Sequence, residues 1–203
     1  MAVLFANNNS LSAITSVPSG VGGGSLNLIS TQTASSSSTI SFTSGIDSTY
    51  DEYVFKFIDC HAQTSTADFT MNLSVDSGSN YNVAKTTTYF LAYHFEDDSG
   101  TSLAYRTASD LAQGTGFQPV AHNQADDNDA SWCGQMQLFN PSSTTFVKHF
   151  ISTVQQMGDS SKEFSSQRFM AGYGNTTSAI DAVQFKMSSG NIDSGTIKLY
   201  GVS

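Results

Sequence analysis

The stretch Ala179 to Val202, AIDAVQFKMSSGNIDSGTIKLYGV, constrains the fold of this chain more than any other. Val183, Phe185 and Met187 alternate with Gln184, Lys186 and Ser188, and Ile197 and Leu199 alternate with Lys198 and Tyr200. Between them lies the turn Ser188-Ser189-Gly190-Asn191. Successive side chains of a strand point to opposite faces, so this alternation predicts two half-buried antiparallel strands. With the C-terminal stretch stitched into a sheet, a compact β unit is expected. No helix-based cofactor fold is suggested.

The same signal recurs upstream. Strands are expected at Thr39 to Thr43, Glu52 to Asp59, Asp68 to Asp76, residues 86–95, Trp132 to Asn140, Thr144 to Val154 and Arg168 to Tyr173. The cleanest places Phe69, Met71, Leu73 and Val75 on one face and Thr70, Asn72 and Ser74 on the other. A hairpin is expected across Asn140-Pro141-Ser142-Ser143. The total is about eight or nine strands with no convincing helix. The predicted fold is all-β: an antiparallel β-sandwich, jelly-roll-like, with two packed sheets. The span 96–131 is the least regular part.

Composition supports this. Charged residues are 12% of the chain, against roughly 25% in an average soluble domain. The polar surface must come from Ser, Thr, Asn and Gln, which suit exposed β faces and turns better than long surface helices. Seventeen acids against eight bases give a net charge of −9. That disfavours nucleic acid and anionic membrane surfaces as partners, since both need basic patches. No run of apolar residues is long enough for a membrane helix, so no membrane insertion is expected. The segment MAVLFANNNSLSAITSVPSG lacks the basic and continuous apolar regions of a signal peptide. Cys60 and Cys133 are too few for a disulfide framework and read as small buried hydrophobes, with a single disulfide between them as the alternative.

Two units are expected: an extended N-terminal arm over residues 1–37 and a β-sandwich domain over 38–203. The arm holds Asn7-Asn8-Asn9, a Gly-rich run at Gly22-Gly23-Gly24 and a Ser run at Ser35-Ser36-Ser37-Ser38. These are linker compositions. The apolar patches between them, Val3, Leu4 and Phe5, then Leu26, Leu28 and Ile29, are the candidate assembly anchor, because a pure spacer has no need of them.

No catalytic constellation stands out. His61, His94, His122 and His149 form no HxH or HExxH pattern, and there is no GxSxG elbow or phosphate loop. No cofactor is expected, and the chain is read as a non-enzyme. Asp126, Asp127 and Asp129 are a candidate ligand or ion loop, without the spacing of an EF-hand. The strand Thr144 to Val154 carries apolar residues on both faces: Phe146 and Phe150 on one, Val147 and Ile151 on the other, with His149 beside them. A strand covered on both sides predicts a subunit interface formed by Phe146, Val147, His149, Phe150 and Ile151, or else cover by the N-terminal arm.

Several segments are similar to small structural proteins of tailed bacteriophages, of the capsid-decoration or fibre-tip type. They are Ser41 to Tyr53 (SFTSGIDSTYDEY), Ala179 to Phe185, Ser189 to Ile192, and Gly195 to Gly201. The likeness spans about residues 38–203. It implies a β-sandwich or jelly-roll domain that forms a homo-oligomer, a trimer foremost, and binds other virion proteins. It also implies a place on the virion surface after assembly in the host cytoplasm, and no active site. Two other functions remain open. One is a tail-fibre-tip or receptor module binding a host-surface glycan through loops in 96–131. The other is a glycan-degrading enzyme using acids such as Asp97 and Asp127.

Overall fold

In a computed structural model of the chain, residues 26–158 and 163–203 are described. They form twelve strands and no helix. In chain order these are β1 (Leu26–Ser37), β2 (Ile40–Phe42), β3 (Glu52–Ala62), β4 (Phe69–Ser74), β5 (Lys85–Phe95) and β6 (Thr101–Tyr105). They continue as β7 (Gln118–Ala121), β8 (Trp132–Phe139), β9 (Lys148–Gly158), β10 (Phe164–Gly174), β11 (Ala182–Met187) and β12 (Ile192–Val202). All pairings are antiparallel.

Two sheets result, one of eight strands in the order β1-β12-β3-β8-β9-β10-β5-β6 and one of four in the order β2-β11-β4-β7. The pairings nest: β2 with β11, β3 with β8, β4 with β7, β5 with β6. That is the wrapping of a jelly roll. The meander β8-β9-β10 occupies the place of a single strand, and β12 and β1 widen the same sheet beyond β3. The expected all-β sandwich is therefore the fold.

The core lies between the sheets. Phe185 of β11 packs against Phe42, Phe55, Phe57 and Phe69, with ring centroids 5.3 to 6.3 Å apart. Trp132 joins at Phe69, 5.1 Å away. Alternation delivers these rings: Tyr53, Phe55 and Phe57 of β3 all point inward, as do Val183, Phe185 and Met187 of β11. At Gly195 the register of β12 against β3 shifts, and a Cβ there would stand 2.5 Å from the Cα of Cys60. With φ at +122°, only glycine fits this bulge.

Three features differ from the sequence reading. First, β1, β6 and β7 add to the nine expected strands. Second, residues 26–37 are no arm: β1 pairs with β12 from Leu26↔Val202 to Ser37↔Ile192. Of the candidate anchor residues, Leu26 and Leu28 are exposed on this edge strand, while Ile29 packs on the chain's own core. Val3, Leu4 and Phe5 lie outside the described residues. Third, Cys133 is exposed and only Cys60 is buried; both are free thiols.

Candidate functional site

The small sheet does not cover the large one. Its edge strand β7 lies over β9 and β10. The inner face at the far ends of β5 and β10 is left to loops. There the chain forms a cleft of about 160 Å³, lined by Leu91, Tyr93 and Phe95 of β5, Phe164 and Arg168 of β10, Arg106 after β6, and His122 and Asn123 after β7.

The cleft gathers both arginines of the chain. Arg168 is 3% exposed. Its guanidinium donates one hydrogen bond, to the carbonyl of His122 at 3.1 Å, and its buried Nε has no partner. Burial lowers its pKa and nearby Arg106 adds to that effect, while Tyr89 and Asp68 act in the opposite sense. Arg106 is exposed, with its backbone N–H held by the carbonyl of Tyr89 at 2.9 Å. Its guanidinium donates to Nε2 of His122 at 3.0 Å. An arginine can only donate, so Nε2 accepts and the proton of the neutral ring sits on Nδ1. That nitrogen is 2.7 Å from Oδ1 of Asp68. The approach is off-line for a ring N–H hydrogen bond, so the contact is electrostatic in character.

The loop carrying His122 is pinned from below. The side-chain amide of Gln156 donates to the carbonyls of His122 (2.7 Å) and Asn123 (3.1 Å), and Gln124 donates to Gln156 Oε1 at 2.9 Å. Oδ1 of Asp68 accepts from the backbone N–H of Asn123 at 3.0 Å. The cations of the cleft are thus held by buried polar groups. No carboxylate among the described residues lies within 4.0 Å of either arginine; the acid–base contacts of that length all involve histidine.

A second surface lies on the outer face of the large sheet. Phe90 and Phe169 stack there, flanked across the ladders by Tyr105, and Leu103 is 76% exposed nearby. Small Ala171, paired with Thr88 and Ile151, floors an apolar groove of about 430 Å³ that runs to His149 and Tyr173.

The sequence-derived candidates separate accordingly. His149 and Ile151 point outward on this face, and Phe146, 68% exposed, precedes β9 with half-buried Val147. Phe150 points inward and is fully buried. It belongs to the chain's own core, which corrects its place in the expected interface. It shares the inward parity of β9 with Ser152 and Val154, and with Lys148, whose Nζ donates to the carbonyls of Phe146 (2.7 Å) and Thr176 (3.3 Å).

Asp126, Asp127 and Asp129 are exposed and line no part of the cleft. The carbonyl of Asp127 accepts from Nε2 of His61 at 3.0 Å. Asp129 borders an acidic recess with Asp59, His61 and Asp193. Among the described residues no group of three or more His, Cys, Asp or Glu is placed to hold a metal. His94 meets Asp98 at 3.0 Å. Among the described residues no helix is long and apolar enough to cross a membrane.

Comparison with known proteins finds no matching family model, no similar curated protein and no similar solved structure. Arg106, Arg168, Asp68 and Asn123 carried no sequence signal, and His122 was visible only as an isolated histidine.

Proposed function

We propose that the chain is a non-enzymatic virion structural protein, an oligomeric capsid-decoration or other virion-surface module. A jelly roll with an apolar outer face is suited to side-by-side assembly with copies of itself, a trimer foremost. The segment before β1 attaches it to other virion proteins. The observation that carries this reading is the outer face of the large sheet, where Phe90, Leu103, Tyr105 and Ile151 are all exposed. A large contiguous apolar surface marks an interaction site. The low charge and the abundance of Ser, Thr and Asn are in keeping with a particle-surface protein.

The test is the mass of the purified full chain by light scattering, followed by its retention on particles with and without residues 1–25. Three times the chain mass, with retention lost on truncation, supports the reading. A monomer at all concentrations overturns the assembly part, and retention of the truncated chain overturns the attachment part. A second reading, a receptor- or carbohydrate-binding module at a fibre tip, is favoured by the cleft, since Arg106, His122 and Asn123 come from the 96–131 span.

A further inference from the structure

The geometry points to the Arg106–Arg168 cleft as a binding site for a small organic monocarboxylate with a ring-shaped body. This deepens the second reading and is independent of the assembly role.

A buried charge is normally paired, because removing an ion from water is costly. Arg168 is almost wholly buried, yet no carboxylate of the described residues reaches it and its Nε is unpartnered. This occurs in a chain with seventeen acids and net charge −9, where counter-charges are plentiful. Asp68 acts on the cluster from behind His122, but neither guanidinium has a carboxylate in direct contact, and a bound anion would supply one. An arginine fork bonds two oxygens of one group side by side, which selects carboxylate or phosphate.

Two further features narrow the class. Asp68 stands directly behind His122, 2.7 Å from its ring, so a negative charge already lies within the cluster. A dianion would be repelled more than a monoanion. The remaining walls are Leu91 and the mutually packed rings of Tyr93, Phe95 and Phe164, the last with the Arg168 guanidinium 5.9 Å from its centroid, and they offer apolar surface. They give an anion alone nothing to touch. A ring bearing one carboxylate satisfies both halves of the cleft. An acidic sugar of a surface glycan and a free aromatic acid share this chemistry.

His122 is a positioning residue. By accepting from Arg106 through Nε2, it aims that guanidinium, while Gln156 and Arg168 fix the His122 backbone from the other side.

The experiment uses the full chain at neutral pH, titrated with glucuronate and with benzoate by NMR and by thermal shift. Glucose and benzyl alcohol serve as uncharged counterparts, and inorganic phosphate as an anion without a ring. Binding of at least one carboxylate, absent for its uncharged counterpart and weaker for phosphate, is the expected result. Preference for glucuronate identifies the glycan source, and preference for benzoate the free acid. Arg106→Gln, at an exposed position, is expected to weaken binding about tenfold or more, with the unliganded melting temperature little changed. Arg168→Gln is the second variant, read only if it remains folded. The inference is overturned if neither carboxylate binds below about 10 mM, if phosphate binds as well as both, or if Arg106→Gln binds unchanged. None of these outcomes alters the solution mass, so failure here is distinct from failure of the assembly reading.

Discussion

Phe90 and Phe169 face each other across the β5–β10 ladder with ring centroids 4.7 Å apart and planes 11° from parallel, on the solvent side of the sheet. The pair lies in the row that runs from Tyr105 to Thr153. Stacking within the chain contributes about 0.5–1.5 kcal/mol. If copies assemble through this face, the pair sits where central aromatic residues dominate binding. Phe169→Ser is therefore expected to weaken self-association by about tenfold or more, with only a small loss in melting temperature. Sedimentation velocity over a concentration series reads this directly. An unchanged mass distribution would remove this face from the interface.

Phe185 touches four other phenylalanine rings from both sheets, so it links the two layers. Phe185→Ala leaves a cavity that rigid neighbours on every side are poorly able to fill. The expected loss is about 3–5 kcal/mol in urea unfolding. Phe185→Leu should lose clearly less. A loss below about 1 kcal/mol for the alanine variant would mean that the sheets repack without this ring.

Lys85 is a fully buried cation held only by neutral groups, Asn72 Oδ1 at 2.5 Å and the carbonyl of Val83 at 2.7 Å. Burial lowers its pKa from 10.5 to about 8. Between those values the unfolded chain binds the proton and the folded protein does not. Stability attributable to this group therefore rises with pH across that window, by up to about 1.4 kcal/mol per pH unit. Below the window both states are charged and the buried charge is carried in full. Cys60 works in the opposite sense: burial raises its thiol from 9.0 to about 12, so its contribution is complete below 9.0 and is lost above it. The difference between wild type and Lys85→Met isolates the lysine. Wild type should gain on the variant from pH 8 upward in chemical denaturation; parallel curves would contradict this.

The two thiols should behave differently. Cys60 is buried beneath the Gly195 bulge, whereas Cys133 is exposed and exchanges contacts with Asp59, accepting from its N–H at 3.2 Å. The thiolate is the reacting species, and burial also raises the Cys133 thiol, so labelling will be slow. Native protein treated with iodoacetamide is expected to carry one label, at Cys133, with Cys60 modified only in denaturant. Equal labelling of both under native conditions would show that β3 opens.

Nine of the twelve strands were legible because their inward residues repeat every second position. The three others show why the rest was hidden. In β1, LNLISTQTASSS, one face is largely solvent and the Ser run has linker composition. Its partner, β12, decides its structure, not its own pattern. In β7, Pro119 argues against a strand, and it is tolerated because β7 is an edge. β6 has only five residues, alternating between half-buried and exposed. Phe150 and Ile151 do lie on opposite faces of β9, as the alternation predicts, but with apolar residues at both parities the pattern could not say which face meets the chain's own core. The cleft was invisible for another reason: Asp68, Arg106, His122 and Arg168 share no motif spacing. They meet only because β10 pairs with β5 and the small sheet stops at β7.

The pairing of β1 with β12 has a mechanical consequence. Leu26 and Val202 are ladder partners, at the same end of an antiparallel pair. Tension applied between these two points would open the ladder one hydrogen bond after another, starting at Leu26 and Val202, instead of shearing many bonds at once. A pull on the segment before β1 would peel that strand from β12 while the nested strands from β2 to β11 stay out of the line of force. The outermost strand would then act as a yielding tether, lengthening under strain before the sandwich itself is stressed.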